Sequence, residues 1–153
     1  MKIFIDTEFN GHGGELISMA LVAEDGNAWY GVRDHDYPID PWVQEHVIPF
    51  LGKDPDADST LHGSLNEYLH QFDSVHIIAD WPADIANFCR FLECKPGFRI
   101  GPLNMIFEVR SDLPDTSKLS AIPHNALEDA RALARGKDNL KRPIGGLPQT
   151  IST

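Results

Sequence analysis

The sequence predicts an α/β fold, a mixed sheet of about five strands flanked by helices, by the layer logic of such chains. Three observations predict it. Three strand-like apolar runs stand close together at the start, helical spacing follows, and short apolar strands then alternate with helices. No internal repeat and no second core marks a boundary. Residues 1–135 therefore read as one domain, and residues 136–153, rich in Pro and Gly and without a clear period, as a C-terminal tail.

Lys2-Ile3-Phe4-Ile5, continuing into Asp6-Thr7-Glu8-Phe9, is a buried strand that delivers acid at its far end. Leu16 to Ala23 follows the Gly11–Gly14 loop as a second strand. The turn signal Glu24-Asp25-Gly26-Asn27 returns the chain antiparallel as a third, Asn27 to Val32, completing a meander. Pro41 is placed to open a helix through Trp42, Val43, His46 and Val47, which Pro49 ends. Leu61, Leu65, Tyr68, Leu69 and Phe72 keep helical spacing beyond an Asp-rich loop. Val75 to Ala79 is apolar except for His76, which suits a buried parallel strand. Pro82 opens a helix whose expected inner face is Ile85, Phe88, Cys89 and Leu92, and Lys95-Pro96-Gly97 stops it. Arg99 to Arg110 holds one more strand, centred on Met105 to Val109, and Asp112 to Pro123 is a loop. Asn125 to Arg135 is the last helix, with Leu127, Ala130, Leu133 and Ala134 inward.

Composition narrows the function. The 153 residues carry a formal charge of −10, unevenly spread. Residues 1–89 hold 3 Lys/Arg against 16 Asp/Glu, whereas residues 90–153 hold 10 against 7. Such an acidic chain is poorly suited to non-specific duplex binding, which relies on many phosphate contacts. An acid-rich centre that handles phosphate through cations is compatible with it, because bound cations reverse the local sign. The best apolar run, Leu16 to Ala23, is far short of a membrane span. The acidic start argues against a secretory leader, and two cysteines, Cys89 and Cys94, make no disulfide framework. A reduced, cytoplasmic chain without a membrane partner is the expectation.

Asp6 and Glu8 are two apart on a strand, so they share a face. Two carboxylates on one face repel unless a cation lies between them, and hard divalent cations prefer oxygen ligands. By itself Asp-x-Glu also fits an edge strand with a solvated acidic end. Asp84 stands in the first turn after Val75–Ala79, rotated towards the rim, where a strand end meets a helix start and open α/β sheets bind ligands. It equally fits a residue that stabilises the helix N-terminus. Asp80, just before Trp81-Pro82, competes with it for either role. His124 precedes the last helix, and Asp129 sits inside that helix among Ala and Leu. Neutral imidazole beside carboxylates is a proton acceptor.

In order, these are Phe4-Ile5-Asp6-Thr7-Glu8, Asp84-Ile85-Ala86-Asn87-Phe88 and His124-Asn125-Ala126-Leu127-Glu128-Asp129-Ala130. The set closely resembles the three motifs of the DnaQ-like 3′–5′ exonuclease superfamily in its DEDDh branch. The opening Asp-Thr-Glu-Phe and the small size also resemble a compact branch of bacterial exoribonucleases acting on adenylate-rich RNA ends. Two departures stand out: Asp80 occupies a place where many relatives carry Asn, and Pro82 precedes Asp84. The resemblance implies a ribonuclease H-like fold and a metal-dependent 3′–5′ exonuclease that releases nucleoside 5′-monophosphates from single-stranded RNA. It implies two divalent cations, Mg²⁺ or Mn²⁺, held by Asp6, Glu8, Asp84 and Asp129, with Asp80 the second choice for Asp84. His124 is then the proton acceptor, Thr7 and Phe9 touch the terminal nucleotide, and a homodimer is the form common among relatives. A DNA-directed proofreading or repair enzyme, and a catalytically silent nucleic-acid-binding module, are the competing readings.

Overall fold

The computed structural model describes residues 1–136. Its strands are β1 (Lys2–Phe9), β2 (Leu16–Ala23), β3 (Ala28–Val32), β4 (Val75–Ala79) and β5 (Met105–Val109). They form one sheet in the order β3-β2-β1-β4-β5. β1 pairs antiparallel with β2, and β2 with β3; β4 runs parallel to both of its neighbours, β1 and β5. This is the mixed α/β sheet, of ribonuclease H-like form, expected above. The position of β4 explains its sequence. A strand flanked on both sides in parallel needs apolar residues on both faces, and only His76 departs from that.

The helices are α1 (Pro41–His46), α2 (Asp58–Leu69), α3 (Pro82–Leu92), α4 (Thr116–Leu119) and α5 (Ala126–Arg135). Ile3, Ile5, Leu21 and Ile77 pack against Leu61, Leu65 and Leu69 of α2 and against Phe88, Phe91 and Leu92 of α3. On β1 the alternate residue Phe4 packs with Ile78 and with Leu133 of α5. Ala126 and Ala130 of α5 meet Ala20 and Val22 of β2. Small residues at that contact let α5 lie close over β1 and β2, which brings its side chains within reach of Asp6 and Glu8. Each large side chain fully buried here contributes roughly 1.5–3 kcal/mol, so the sheet that carries the acids has a firm base.

Three local expectations differ from what is found. Asp112 to Pro123 contains the short helix α4, capped by Asp115, whose carboxylate accepts from the Ser117 amide at 3.1 Å. Four residues with one turn give too little periodicity to stand out from a loop. A 3-10 turn, Ile48–Phe50, extends the chain past the end of α1, since Pro49 is compatible with the first turn of a helix. The buried stripe of α3 is displaced by one position: Asp84, Asn87, Phe88, Phe91 and Leu92 are inside, while Ile85 and Cys89 are only partly buried. Cys94 lies beyond the end of α3, and both cysteines are free. Among the described residues no helix is long and apolar enough to cross a membrane. The expected tail, 136–153, lies outside the described residues apart from Gly136.

Candidate active site

The parallel pairing of β1 with β4 brings the carboxyl ends of both strands to the same edge of the sheet. Alternation along β1 sends Asp6 and Glu8 to the face of Phe4, and Thr7 to the other. Opposite them on β2 stand Ala20 and Ser18, whose small side chains leave space above the acids. A register shift between Glu8 and Phe9 ends the regular ladder there. Such bulges re-aim the following side chain, and Phe9 joins the wall of a cleft of about 430 Å³.

Two helices add Asp129 and Asp84 by the same device, and Asp80 follows the end of β4. On α5 the buried positions Ala126, Asp129, Ala130 and Leu133 recur at helical spacing, so Asp129 belongs to the stripe facing the sheet. On α3 the stripe Asp84, Asn87, Phe88 and Phe91 begins with Asp84, which is 3% exposed. The sequence reading places Asp84 at the rim; the structure buries it, because it has partners there. Thr7 donates to Asp84 Oδ1 twice, from its amide at 3.1 Å and from its hydroxyl at 2.6 Å. Asn87 Nδ2 in turn donates to Thr7 Oγ1 at 3.3 Å. Both donors of Thr7 are thus directed at Asp84, and the residue orients a carboxylate.

The acids fall into two overlapping groups. Oxygens of Asp6, Glu8 and Asp129 lie within 4.8 Å of one another, as do oxygens of Asp6, Asp80 and Asp84. Asp6 belongs to both groups. Asp80 and Asp84, rivals in the sequence, are therefore neighbours at a single centre. The cleft is lined by these five acids with Thr7, Phe9, Trp81, Thr116, Ser117, Pro123 and His124; no Lys or Arg is among the described lining residues.

Electrostatics follow from that composition. Burial holds the Asp6 carboxyl well above its usual range, and Asp84, Glu8, Asp129 and Asp80 push it in the same direction. Glu8 is raised from 4.5 to about 8, by burial first and then by Asp129 and Asp84. Asp84 reaches about 7 through burial, an increase that the Thr7 hydroxyl opposes and Asp80 reinforces. Burial also raises Asp80 and Asp129. Asp129 Oδ2 accepts the His124 amide at 3.2 Å, whereas Oδ1 is buried with no hydrogen-bond partner. An unpaired buried carboxylate oxygen is costly. All-oxygen donors, an unpaired Asp129 oxygen and several negative charges without a basic side chain between them fit hard divalent cations. These residues could hold metal at either group.

His124 sits at the mouth, exposed, on the turn before α5. Its φ of 65° is the positive value of a non-glycine residue, a conformation that persists only when surroundings impose it. Asn125 supplies the constraint. Its Oδ1 caps α5 by accepting from the Glu128 amide at 3.1 Å, and its Nδ2 donates to the Phe50 carbonyl at 2.7 Å. Outside His124, the Trp42 ring meets the imidazole edge-to-face at 5.2 Å and stacks on His46 at 4.6 Å. The structure thus brings Asp6, Thr7, Glu8, Phe9, Asp80, Asp84, His124 and Asp129 to one cleft. Sequence reasoning did not include Trp81, Thr116, Ser117 or Pro123. Trp81 had a usable signal, its place between Asp80 and Pro82; α4 had none.

No protein-family model matches the chain. Two relatives, each named a 3′–5′ exoribonuclease and coming from two strains of Mycobacterium tuberculosis, are similar to part of it. Each is 47% identical over 55 residues, a stretch amounting to 33% of this chain. The chain matches 33% of the length of these curated relatives, so the likeness covers about a third of either partner.

Proposed function

We propose that this cleft belongs to a DEDDh-type 3′–5′ exoribonuclease that removes nucleoside 5′-monophosphates from single-stranded RNA, with residues 1–135 as the catalytic unit. The observation that carries the reading is the sharing of Asp6 by two partly buried carboxylate groups beside His124. The naming of both partial relatives as 3′–5′ exoribonucleases supports RNA as the substrate.

In this reading Asp6 serves two divalent cations, Mg²⁺ or Mn²⁺. Glu8 and Asp129 complete the set on one side, and Asp84, with Asp80 beside it, completes the other. The cations supply Lewis-acid stabilisation of the charge that develops on phosphodiester oxygens. Thr7 fixes the Asp84 carboxylate through its two hydrogen bonds. A ring nitrogen of His124 accepts the proton of the attacking water. Asp129 holds the backbone of His124 in place through the amide contact. Phe9, in the cleft wall, contacts the terminal nucleotide.

Labelled RNA and DNA oligomers of one sequence, incubated with Mg²⁺ or Mn²⁺, test this. RNA should shorten from its 3′ end with release of 5′-monophosphates, and a chelator should stop the reaction. Asp6→Ala and Asp129→Ala should each abolish it while remaining folded. A folded, metal-supplied protein that leaves RNA intact overturns the proposal. Full activity of Asp84→Ala together with loss in Asp80→Ala would instead exchange those two roles.

A further inference from the structure

We infer that Trp81 is a stacking platform that takes one unpaired base of the bound strand and so selects single-stranded ends. The inference deepens the nuclease reading and rests on it for the nature of the strand. Of the three tryptophans, Trp29 is buried at 8% exposure, donating its indole N–H to Ser64, while Trp81 is 63% exposed. Singly exposed apolar side chains are common on protein surfaces, and this chain has several; Trp81 is set apart by its place in the wall of the cleft. Trp81 forms part of the wall of the carboxylate cleft, between Asp80 and the helix that carries Asp84. Trp42, the other exposed tryptophan, already stacks on His46; no aromatic or cation partner is found for Trp81 among the described residues.

The charge of the cleft decides what such a ring is for. With five acids and no Lys or Arg in its described lining, the cleft offers no side-chain cation to a phosphate backbone. Beyond the phosphate that bound cations would take, further attraction for the strand falls to its sugars and bases, and an indole face supplies it to any base. A base inside a duplex has both faces covered, so an exposed ring discriminates in favour of an unpaired end. A protein partner seated on Trp81 would cover the acids next to it. Backbone geometry is independent of the ring: Trp81 is extended, at φ −126° and ψ 137°, and its side chain makes no capping bond to α3. Removing the ring should therefore leave the fold unchanged.

Trp42→Phe leaves Trp81 as the exposed emitter, Trp29 being buried. In this background, with Mg²⁺ present, a short single-stranded RNA blocked by a phosphorothioate at its last linkage should quench Trp81 fluorescence. A blunt duplex of the same sequence, which offers only the outer face of its terminal pair, should quench it far less. In steady-state hydrolysis of the unblocked strand, Trp81→Ala should raise KM by roughly 5- to 150-fold, the range of one base–aromatic stack. The kcat should change little, and Trp81→Phe should recover most of the loss. Unchanged fluorescence with an unchanged KM in Trp81→Ala, in an enzyme that does hydrolyse RNA, overturns the inference alone. Emission that follows protein concentration and ignores RNA overturns it in favour of contact between copies of the chain. Quenching by single strands in a protein that never hydrolyses them would sustain stacking and sink the nuclease reading.

Discussion

Raising the pH from about 5 to about 9 in the presence of a chelator should destabilise the folded chain, because Asp6, Glu8 and Asp84 all bind protons more tightly when folded, and Glu8 gives the effect a scale. Its carboxyl titrates near 4.5 when unfolded and near about 8 when folded. Between those values the folded chain holds more protons than the unfolded one, so stability falls as pH rises through the window. At about 1.36 kcal/mol per unit, the loss is about 3 kcal/mol by pH 7 and about 5 kcal/mol once Glu8 is fully ionised. Asp84, raised from 3.8 to about 7, acts in the same direction. Part of the increase in Glu8 is repulsion from Asp84, so the two losses overlap and do not simply add. For a domain of this size about 3 kcal/mol corresponds to a fall in Tm of roughly 6–12 °C. Scanning calorimetry or circular dichroism melts across the pH series measure it. Glu8→Gln should be flatter than wild type over the window and more stable at its alkaline end. Glu45→Gln, on the exposed face of α1, removes the same charge and should retain the wild-type slope. Saturating Mn²⁺ should restore most of the loss at alkaline pH, since a ligand bound only by the folded form stabilises it. A chelated Tm that is level or rising between pH 5 and 8, or a Glu8→Gln slope equal to wild type, would refute the electrostatic account of the site.

Thr7→Val removes the 2.6 Å hydroxyl bond to Asp84 but keeps the amide bond at 3.1 Å. Titration calorimetry with Mn²⁺ should show affinity reduced by about 10- to 100-fold, as for other groups that orient a metal ligand; unchanged affinity would free Thr7 of that role. His124→Ala should lower hydrolysis by about 10²–10⁴-fold, the usual share of general base catalysis. It should still show the Mn²⁺-dependent rise in Tm, because the contact with Asp129 is made by the residue-124 amide. His124→Gly should melt no lower than His124→Ala, since glycine suits the positive φ found there; the opposite order would mean that the backbone is not held in that conformation.

Much of the architecture is local information. Alternation in Lys2–Phe9 puts Asp6 and Glu8 on one face whatever surrounds them, because the period of a strand is a property of its backbone. The turn at Glu24–Asn27, the prolines that open α1 and α3, and the run of β4, apolar but for His76, likewise act within a few residues. From these the mixed sheet follows, and with it the meeting of the carboxyl ends of β1 and β4.

Other features depend on partners far away in the chain, to which periodicity is blind. Counting apolar residues on α3 favours an inner face of Ile85, Phe88, Cys89 and Leu92; the folded stripe includes Asp84 and Asn87 instead. The difference arises because Thr7, 77 residues earlier, supplies two hydrogen bonds that make burial of Asp84 tolerable. Asp80 and Asp84 look like alternatives in sequence, yet both carboxylates come within reach of Asp6 once β4 is docked beside β1. The indole of Trp81 acquires its significance only when β1, α4 and α5 close the cleft around it. A strand or helix period is encoded by neighbours in the chain, whereas the partner of a buried charge is chosen by packing.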